Sequence, residues 1–378
     1  MFWKEFTELE KGQGWLNEFL FCFISYFFVN FIQSLLLISR KVIGELPMKA
    51  FLFICLVSVF IFSCERKQDD TEDKGGIVTP ADPTDFWKKT GTDFDKIGDG
   101  IIVYRLFYAD NGTLFAGTDS GIYRTVTDGG KWKHLLNQKI AVNDFAKDNS
   151  GNIYAATASN GVYRSTDLGV TWNPYGLTGK KVWSLSKNSL GTVLAGTEGD
   201  GVFKLNEGSE TWNYVALKDT TVISFTIDKT GKLFAGTYGK GLLKSINNGN
   251  TWIKTKFTSG IIISVNVDSL NTLYFSNWGS NLYKSADQGN TITPTQIGSP
   301  IYIYNIQFTA SGLIVVSGLD GITVSANKGQ NWQYLNSGLT DKENRSIVIS
   351  SSGYVYAATE SKGVFKSNDV VSNYNNYK

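Results

Sequence analysis

Ser165-Thr166-Asp167-Leu168-Gly169-Val170-Thr171-Trp172 is the stretch whose reading decides the fold. Ser and Asp side chains bond to nearby backbone N–H groups, and glycine takes a positive-φ position, so the eight residues read as a self-satisfied turn. Forty residues away on either side stand Trp132 and Trp212, and the same spacing continues to Trp252 and Trp332, with Ile292 at the one position that lacks Trp. A fixed period of this length marks a tandem array, so fold and function are read per repeat.

The box recurs as Ser285 to Ile292 with Asp287 and Gly289, as Ser245 to Trp252 with Asn247, and as Ser325 to Trp332 with Asn327. Thr125 to Trp132 keeps Gly129 and is read as moving its acid to Asp128; Leu205 to Trp212 has Glu207 and Ser209; Ser367 to Tyr374 keeps Asp369 without the glycine. That makes seven copies. Upstream of each lies a second string, best seen in Leu114-Phe-Ala-Gly-Thr118 and Leu233-Phe-Ala-Gly-Thr237, with diverged forms taken as Leu273 to Asn277 and Leu313 to Ser317. A third follows, as in Gly121-Ile-Tyr-Arg124 and Gly201-Val-Phe-Lys204.

These runs are short and rich in β-branched and aromatic residues, with Gly, Asn and Asp between them. They are too short for paired helices. A meander of four strands, with about six residues per strand and about four per turn, fills roughly forty residues. The expectation is therefore an all-β chain: a seven-bladed β-propeller of four-stranded antiparallel blades, a radial arrangement that hides most strand edges. Few residues follow the seventh box, whereas Asp85-Phe-Trp87-Lys-Lys-Thr90 looks like the stretch beginning at each box Trp. This N-terminal strand is predicted to complete the last blade.

The chain resembles the Asp-box (BNR) propellers, whose pattern S-x-D-x-G-x-T-W is matched in full by Ser165 to Trp172. The resemblance runs from about Phe86 to the C-terminus and implies the propeller fold. It says little of function, because the same box decorates sialidases, xyloglucan hydrolases, sortilin-type receptors and the photosystem II assembly factor family.

Residues 86–378 are assigned to the propeller, and three segments precede it. Residues 48–64 pass from Met48-Lys49 through an apolar run to Ile61-Phe-Ser-Cys64, then turn polar at Glu65. About fourteen apolar residues suit a signal sequence better than a membrane span. The segment resembles a lipoprotein signal peptide with Cys64 as the lipidation site; a short membrane anchor is the alternative. Residues 65–85, acidic and then rich in Gly and Pro, read as a flexible tether. Residues 1–47 read as a start assigned too early or as an extra membrane segment, and both readings export the propeller. The expected location is the bacterial cell envelope, as an outer-membrane lipoprotein facing the periplasm or the cell surface.

Lys and Arg total 36 against 34 Asp and Glu, which with no basic block speaks against nucleic acid as a partner. All three cysteines, Cys22, Cys55 and Cys64, precede the repeats, and His134 is the single histidine. No metal site and no cofactor are expected, and the propeller is expected to be monomeric.

Function in such a ring is expected at the mouth formed by the loops between second and third strands, which vary most between repeats. Candidate ligand-binding residues there are Asp119, Glu198, Tyr238, Trp278, Asp320 and Glu360. Counting back from the Leu114 equivalents gives an inner-strand column of Arg105, Asp144, Ser184, Ser224, Ser264, Tyr304 and Ser346. Beside it runs Tyr104, Asn143, Trp183, Ile223, Ile263, Ile303 and Arg345. Arg105, Asp144, Trp183, Tyr304 and Arg345 complete the candidate set, with Arg105 and Asp144 as a pair across adjacent blades. No catalytic residue is assigned. The expected activity is binding or assembly, with an unidentified protein, peptide or glycan at one mouth. The alternative is a glycoside hydrolase, sialidase-like or xyloglucanase-like, acting through mouth carboxylates. A sialidase needs three convergent arginines, and Arg124 and Arg164 occupy the repeated Lys/Arg position before the box.

Overall fold

The computed structural model describes residues 86–371, apart from 92–95, 110–111, 137–138, 206–209, 280, 296 and 298–301. The signal segment, Cys64, the tether, the third box's Glu207 and Ser209, and the seventh box beyond Val371 lie outside the described residues.

The chain is a seven-bladed β-propeller. Blade 1 runs from the inside outward through Val103–Tyr108, Leu114–Thr118, Gly121–Thr125 and Lys133–Leu136, each strand antiparallel to the last. The next five blades start at Val142–Lys147, Val182–Lys187, Val222–Ile227, Gly260–Val267 and Ile303–Phe308. Blade 7 takes Asn344–Ile349, Val355–Thr359 and Val364–Ser367 from the C-terminal end and Trp87–Lys89 from the N-terminal end. Trp87 lies opposite Ser367 and Lys89 opposite Phe365, so the closure predicted from Phe86 to Thr90 is present. Each innermost strand packs on the next, and the seventh packs on the first.

Burial follows from this radial stacking. Leu114–Thr118 and Val355–Thr359 are buried along their whole length, because both faces of the sheet are covered by neighbouring blades. Side chains of facing blades make the core. Phe115 and Ile122 of blade 1 meet Phe145, Ala155 and Trp172 of blade 2, and Tyr356 and Val364 of blade 7 meet Val103, Leu114 and Trp132 of blade 1. Near the axis the blades converge, which explains the small residues of the Ala-Gly-Thr string: a Cβ on Gly117 would stand 2.7 Å from the Val142 carbonyl oxygen.

The box joins the third strand to the fourth. Ser165 Oγ accepts from Gly169 N–H at 2.7 Å, and Asp167 accepts from the N–H of Val170 at 3.0 Å and Thr171 at 2.9 Å. Gly169 holds a φ of 79°, and a Cβ there would sit 2.2 Å from the Phe115 ring of blade 1. This box is thus both a turn and a plug on the preceding blade. In the first box, the acid is not displaced to Asp128 as the spacing suggested. Asp128 occupies the positive-φ position of Leu168, and Thr127 Oγ1 takes the acid's place, accepting from Lys131 N–H at 3.1 Å.

Blades 4 and 5 differ from the rest. Leu233–Gly239 runs two residues longer than its equivalents and pairs with the next blade, Tyr238 opposite Ile261 and Gly239 opposite Gly260, so the two blades form one eight-stranded sheet.

Candidate functional site

In blades 1, 2, 3, 6 and 7 the first residue of the inner strand lies opposite the last of the second strand, as Val103 does opposite Thr118, and in blades 4 and 5 Val222 and Ile262 take the same place opposite Thr237 and Asn277. Inner-strand starts and second-to-third hairpins therefore share one face, and the boxes lie on the other. The hairpins are fixed by the two repeated residues that bound them. Thr118 Oγ1 donates to the Gly121 carbonyl at 2.9 Å, and Thr157, Thr197, Thr237 and Thr359 do the same to Gly161, Gly201, Gly241 and Gly363 at 2.7 to 2.8 Å.

At this face every inner strand bulges. Register shifts fall between Val103 and Arg105, Val142 and Asp144, Val182 and Ser184, Val222 and Ser224, Ile262 and Ser264, Ile303 and Asn305, and Asn344 and Ser346. A bulge leaves one residue unpaired and re-aims its side chain. Here it brings Tyr104, Asn143, Trp183, Ile223, Ile263, Tyr304 and Arg345 into the lining of a cavity of about 220 Å³ on the axis.

The register corrects the sixth blade. Asn305, opposite Ser317, stands in the column of Arg105, and Tyr304 belongs with Trp183 and Arg345; Ile303 is fully buried. Counting back from Leu313 misplaced them, because Ile314 is the residue that pairs like Leu114.

Much of this polar column fastens one blade to the next. Asp144 Oδ2 accepts from Leu185 N–H at 2.9 Å, Ser346 Oγ from Leu106 N–H at 3.1 Å, and Ser184 Oγ donates to the Val222 carbonyl at 3.3 Å. Asn143 and Asn266 donate to the carbonyls of Val182 at 2.8 Å and Ile306 at 2.5 Å. With its amide turned to donate to the Ile347 carbonyl, Asn305 accepts from Arg105 at 3.0 Å. Arg105 also meets Asp144 at 2.9 Å, so it braces blades 2 and 6 from blade 1. Burial pushes the Asp144 carboxyl above the usual carboxylate range, against the pull of Arg105 and of the Leu185 and Phe145 N–H groups.

Arg345 is the second charged centre. It pairs with Glu360, lies 3.2 Å from Glu343, and stands 5.4 and 5.8 Å from the ring centres of Tyr304 and Tyr104. Burial works against its charge, but the two carboxylates outweigh it and hold the guanidinium protonated more firmly than usual. Tyr304 donates to Glu343 at 3.2 Å; burial, then Glu343, pushes its hydroxyl upward. In blade 3, Lys181 lies 4.2 Å over the Trp183 ring and 3.1 Å from Glu198.

Around the cavity, the hairpins carry the remaining candidates. Asp119 accepts from Ser120 Oγ at 2.9 Å, and the Asp320 carbonyl holds Asn336 at 2.9 Å. Tyr238 and Trp278 are 61% and 59% exposed, on neighbouring blades, and Trp278 lies 5.7 Å from Tyr302. The structure thus brings Arg105, Asp144, Trp183, Tyr304 and Arg345 to one cavity, with Glu360 tied to Arg345 at its rim. Sequence reasoning missed Asn305, Glu343 and Lys181. The last two sit two residues before a bulge position, in the interblade connections, which have no repeated pattern to point to them. Among the described residues, no group of three or more His, Cys, Asp or Glu is placed to hold a metal ion.

No protein-family model and no curated protein matches the chain. Solved structures do. An extracellular domain assigned to a one-component system from B. thetaiotaomicron aligns with a TM-score of 0.62 at 14% identity over 74% of this chain. The chain spans 40% of the length of that domain. An inactive variant of virginiamycin B lyase from Staphylococcus aureus, with quinupristin, aligns with a TM-score of 0.62 at 13% identity, covering 74% of this chain and 98% of the other. YCF48 bound to a D1 peptide gives 0.64 at 12% identity, covering 77% and 99%. At these identities, the likeness shows the propeller fold and nothing of the chemistry.

Proposed function

We propose that the chain is a non-catalytic Asp-box propeller of the bacterial cell envelope, anchored through a lipid on Cys64, that binds a protein, peptide or glycan at the bulged mouth. The carrying observation is the pair of exposed aromatics, Tyr238 and Trp278, beside a cavity on the axis. Aromatic side chains supply large contact area at little entropic cost, and they stand here on a sheet shared by two blades. Neighbours of the same fold that are extracellular domains, or that were seen with a peptide, support an exported binding role. The seven box positions support the family, and the apolar run ending at Cys64 supports the anchor.

The mouth's ion pairing favours binding over glycoside hydrolysis. Glu198, Glu343 and Glu360 each face a Lys or Arg. A general acid must hold a proton before it protonates a leaving group, and a cation at hydrogen-bonding distance is the wrong neighbour for that task.

The experiment is a peptide array and a glycan array, both probed with the purified full chain in detergent. A ligand found there should be lost by the double variant Tyr238→Ala, Trp278→Ala with the melting temperature unchanged. Retained binding, or a melting temperature lowered as by a core substitution, would remove these residues from the site. Turnover of an arrayed glycan would overturn the non-catalytic reading.

A further inference from the structure

We infer that the face carrying the boxes lies on a lipid bilayer, with the mouth turned away from it. This rests on the lipid anchor proposed above and adds the orientation in which that anchor holds the ring.

Among the described residues, the exposed large apolar side chains sort by face. Tyr238, Trp278 and Leu319 stand at the mouth, and Tyr214 and Ile253 on outer strands. The rest, Val126, Leu168, Val170, Leu190, Ile246 and Leu270, are all aliphatic, and all lie on the box face, in boxes or in the hairpins that join first to second strands. They come from blades 1 to 5 in succession, and bonds across blades knit the segments that carry them. Ser189 Oγ, beside Leu190, meets Asn248 Oδ1 in the box of Ile246 at 2.8 Å, and Lys229 Nζ donates to the Ser269 carbonyl, beside Leu270, at 2.6 Å. Nothing in the fold asks for these side chains. Leu168 is 59% exposed and holds a φ of 57°, a backbone that Asn adopts more readily, and Asn248, Gln288 and Lys328 fill its place in other boxes. Single exposed aliphatics are ordinary, whereas a set gathered on one face marks a surface with a partner.

Two observations choose lipid as that partner. The first is the path of the chain. Trp87 lies opposite Ser367, the first residue of the seventh box, and the Phe86 carbonyl accepts from Asn368 N–H at 2.7 Å, so the chain enters the ring on the box face. A lipid on Cys64 is thereby joined to this face and not to the mouth. The second is side-chain type: none of the six is Trp or Tyr, the anchors enriched at protein interfaces. The contact is shallow. Asp167, next to Leu168, takes donors from its own turn and stays with the headgroups, while the aliphatic ends reach the acyl boundary, where binding grows with the apolar area buried.

Bimane attached at Leu190→Cys, with Leu270→Cys as the second site, reads this in the full chain carrying Cys22→Ser and Cys55→Ser. The chain is floated on vesicles of phosphatidylethanolamine and phosphatidylglycerol. Nitroxide-labelled lipid should quench the bimane at both sites and iodide in the water should not; at Leu319→Cys, in the mouth, the pattern should reverse. Adding Leu168→Ser, Val170→Ser and Ile246→Ser should leave flotation intact and lose the lipid quenching at Leu190→Cys, and retained quenching would overturn the part given to the aliphatics. On floating chains, a box-face dye open to iodide, or equal lipid quenching at Leu190→Cys and Leu319→Cys, would overturn the inference and leave the anchor standing. A dye shielded from iodide yet untouched by the nitroxide would overturn it too, because protein would then cover the face. Chains that fail to float would remove the anchor and the inference with it.

Discussion

Trp87→Ala should open the ring at its one non-sequential join. Trp87 is 3% exposed and donates its indole N–H to the Leu335 carbonyl at 2.5 Å, while its backbone N–H reaches the Ser337 carbonyl at 3.0 Å. It belongs to the core between blades 6 and 7, with Leu313, Val315, Leu335 and Phe365. Truncating a buried Trp costs about 3–5 kcal/mol, of which the stranded Leu335 carbonyl is a part. At roughly 2 °C per kcal/mol for a domain of this size, the melting temperature should fall by about 6–10 °C. Circular dichroism melts of the full chain and the variant measure it, with deletion of residues 65–80 as the control expected to melt like the parent. A variant melting within about 1 °C of the parent would refute the view that this strand closes the ring, since even the smallest buried-Trp loss exceeds that.

Asp167→Ala removes the acceptor for the Val170 and Thr171 N–H groups and should destabilise by about 1 kcal/mol, the low end for such bonds because the turn faces water. Burial would raise the Asp167 carboxyl, but donors from Thr171, Ser165 and Val170 outweigh it and bring it from the ordinary 3.8 to about 2. Its stabilising effect is therefore full above about 3.8 and is lost as the pH falls toward 2, so acid-unfolding curves of parent and variant should converge over that interval. Gly169→Ala should cost at least about 1–2 kcal/mol for the left-handed backbone alone, with a further loss where Cβ meets Phe115; chemical denaturation reads both. Cys64→Ala should abolish metabolic labelling with a palmitate analogue, and unchanged labelling would remove the anchor.

The fold was legible because the box ties chemistry to position. Ser165, Asp167 and Gly169 must each stand where they do for the turn to satisfy its own N–H groups, so the spacing survives in copies that share little else. The closing strand was legible for a similar reason: Trp87 matches the outer-strand pattern and needed a sheet. Two local readings failed where one residue type can replace another physically. A threonine hydroxyl serves for the acid in the first box, and Asp128 sits at a position that needs only a left-handed backbone. In blade 6, Leu313 and Ile314 are both buried and both aliphatic, so hydropathy alone does not choose the register, and a slip of one exchanged Tyr304 with Asn305.

The site was only half legible, and the bulge is the reason. In a regular strand, adjacent residues point to opposite faces, so two neighbouring columns cannot both face the axis. The bulge breaks that rule in all seven blades, and it sets one residue of each inner strand at the cavity, while in blades 1, 2, 3, 6 and 7 the next residue bonds to an adjacent blade. A polar column on an inner strand therefore reads first as the fastening of the ring, as the bonds of Asp144, Ser184 and Ser346 illustrate. Both columns line the cavity, but the bulge column varies most, from Asn143 to Trp183 to Arg345, while most of those that fasten stay small or paired. Outside blade 2, where Asn143 also holds the Val182 carbonyl, no bulge side chain among the described residues bonds to the next blade's backbone, so Ile263→Trp should change recognition and leave assembly, whereas Asp144→Ala should strand both Arg105 and the Leu185 N–H and loosen the ring before any ligand is considered.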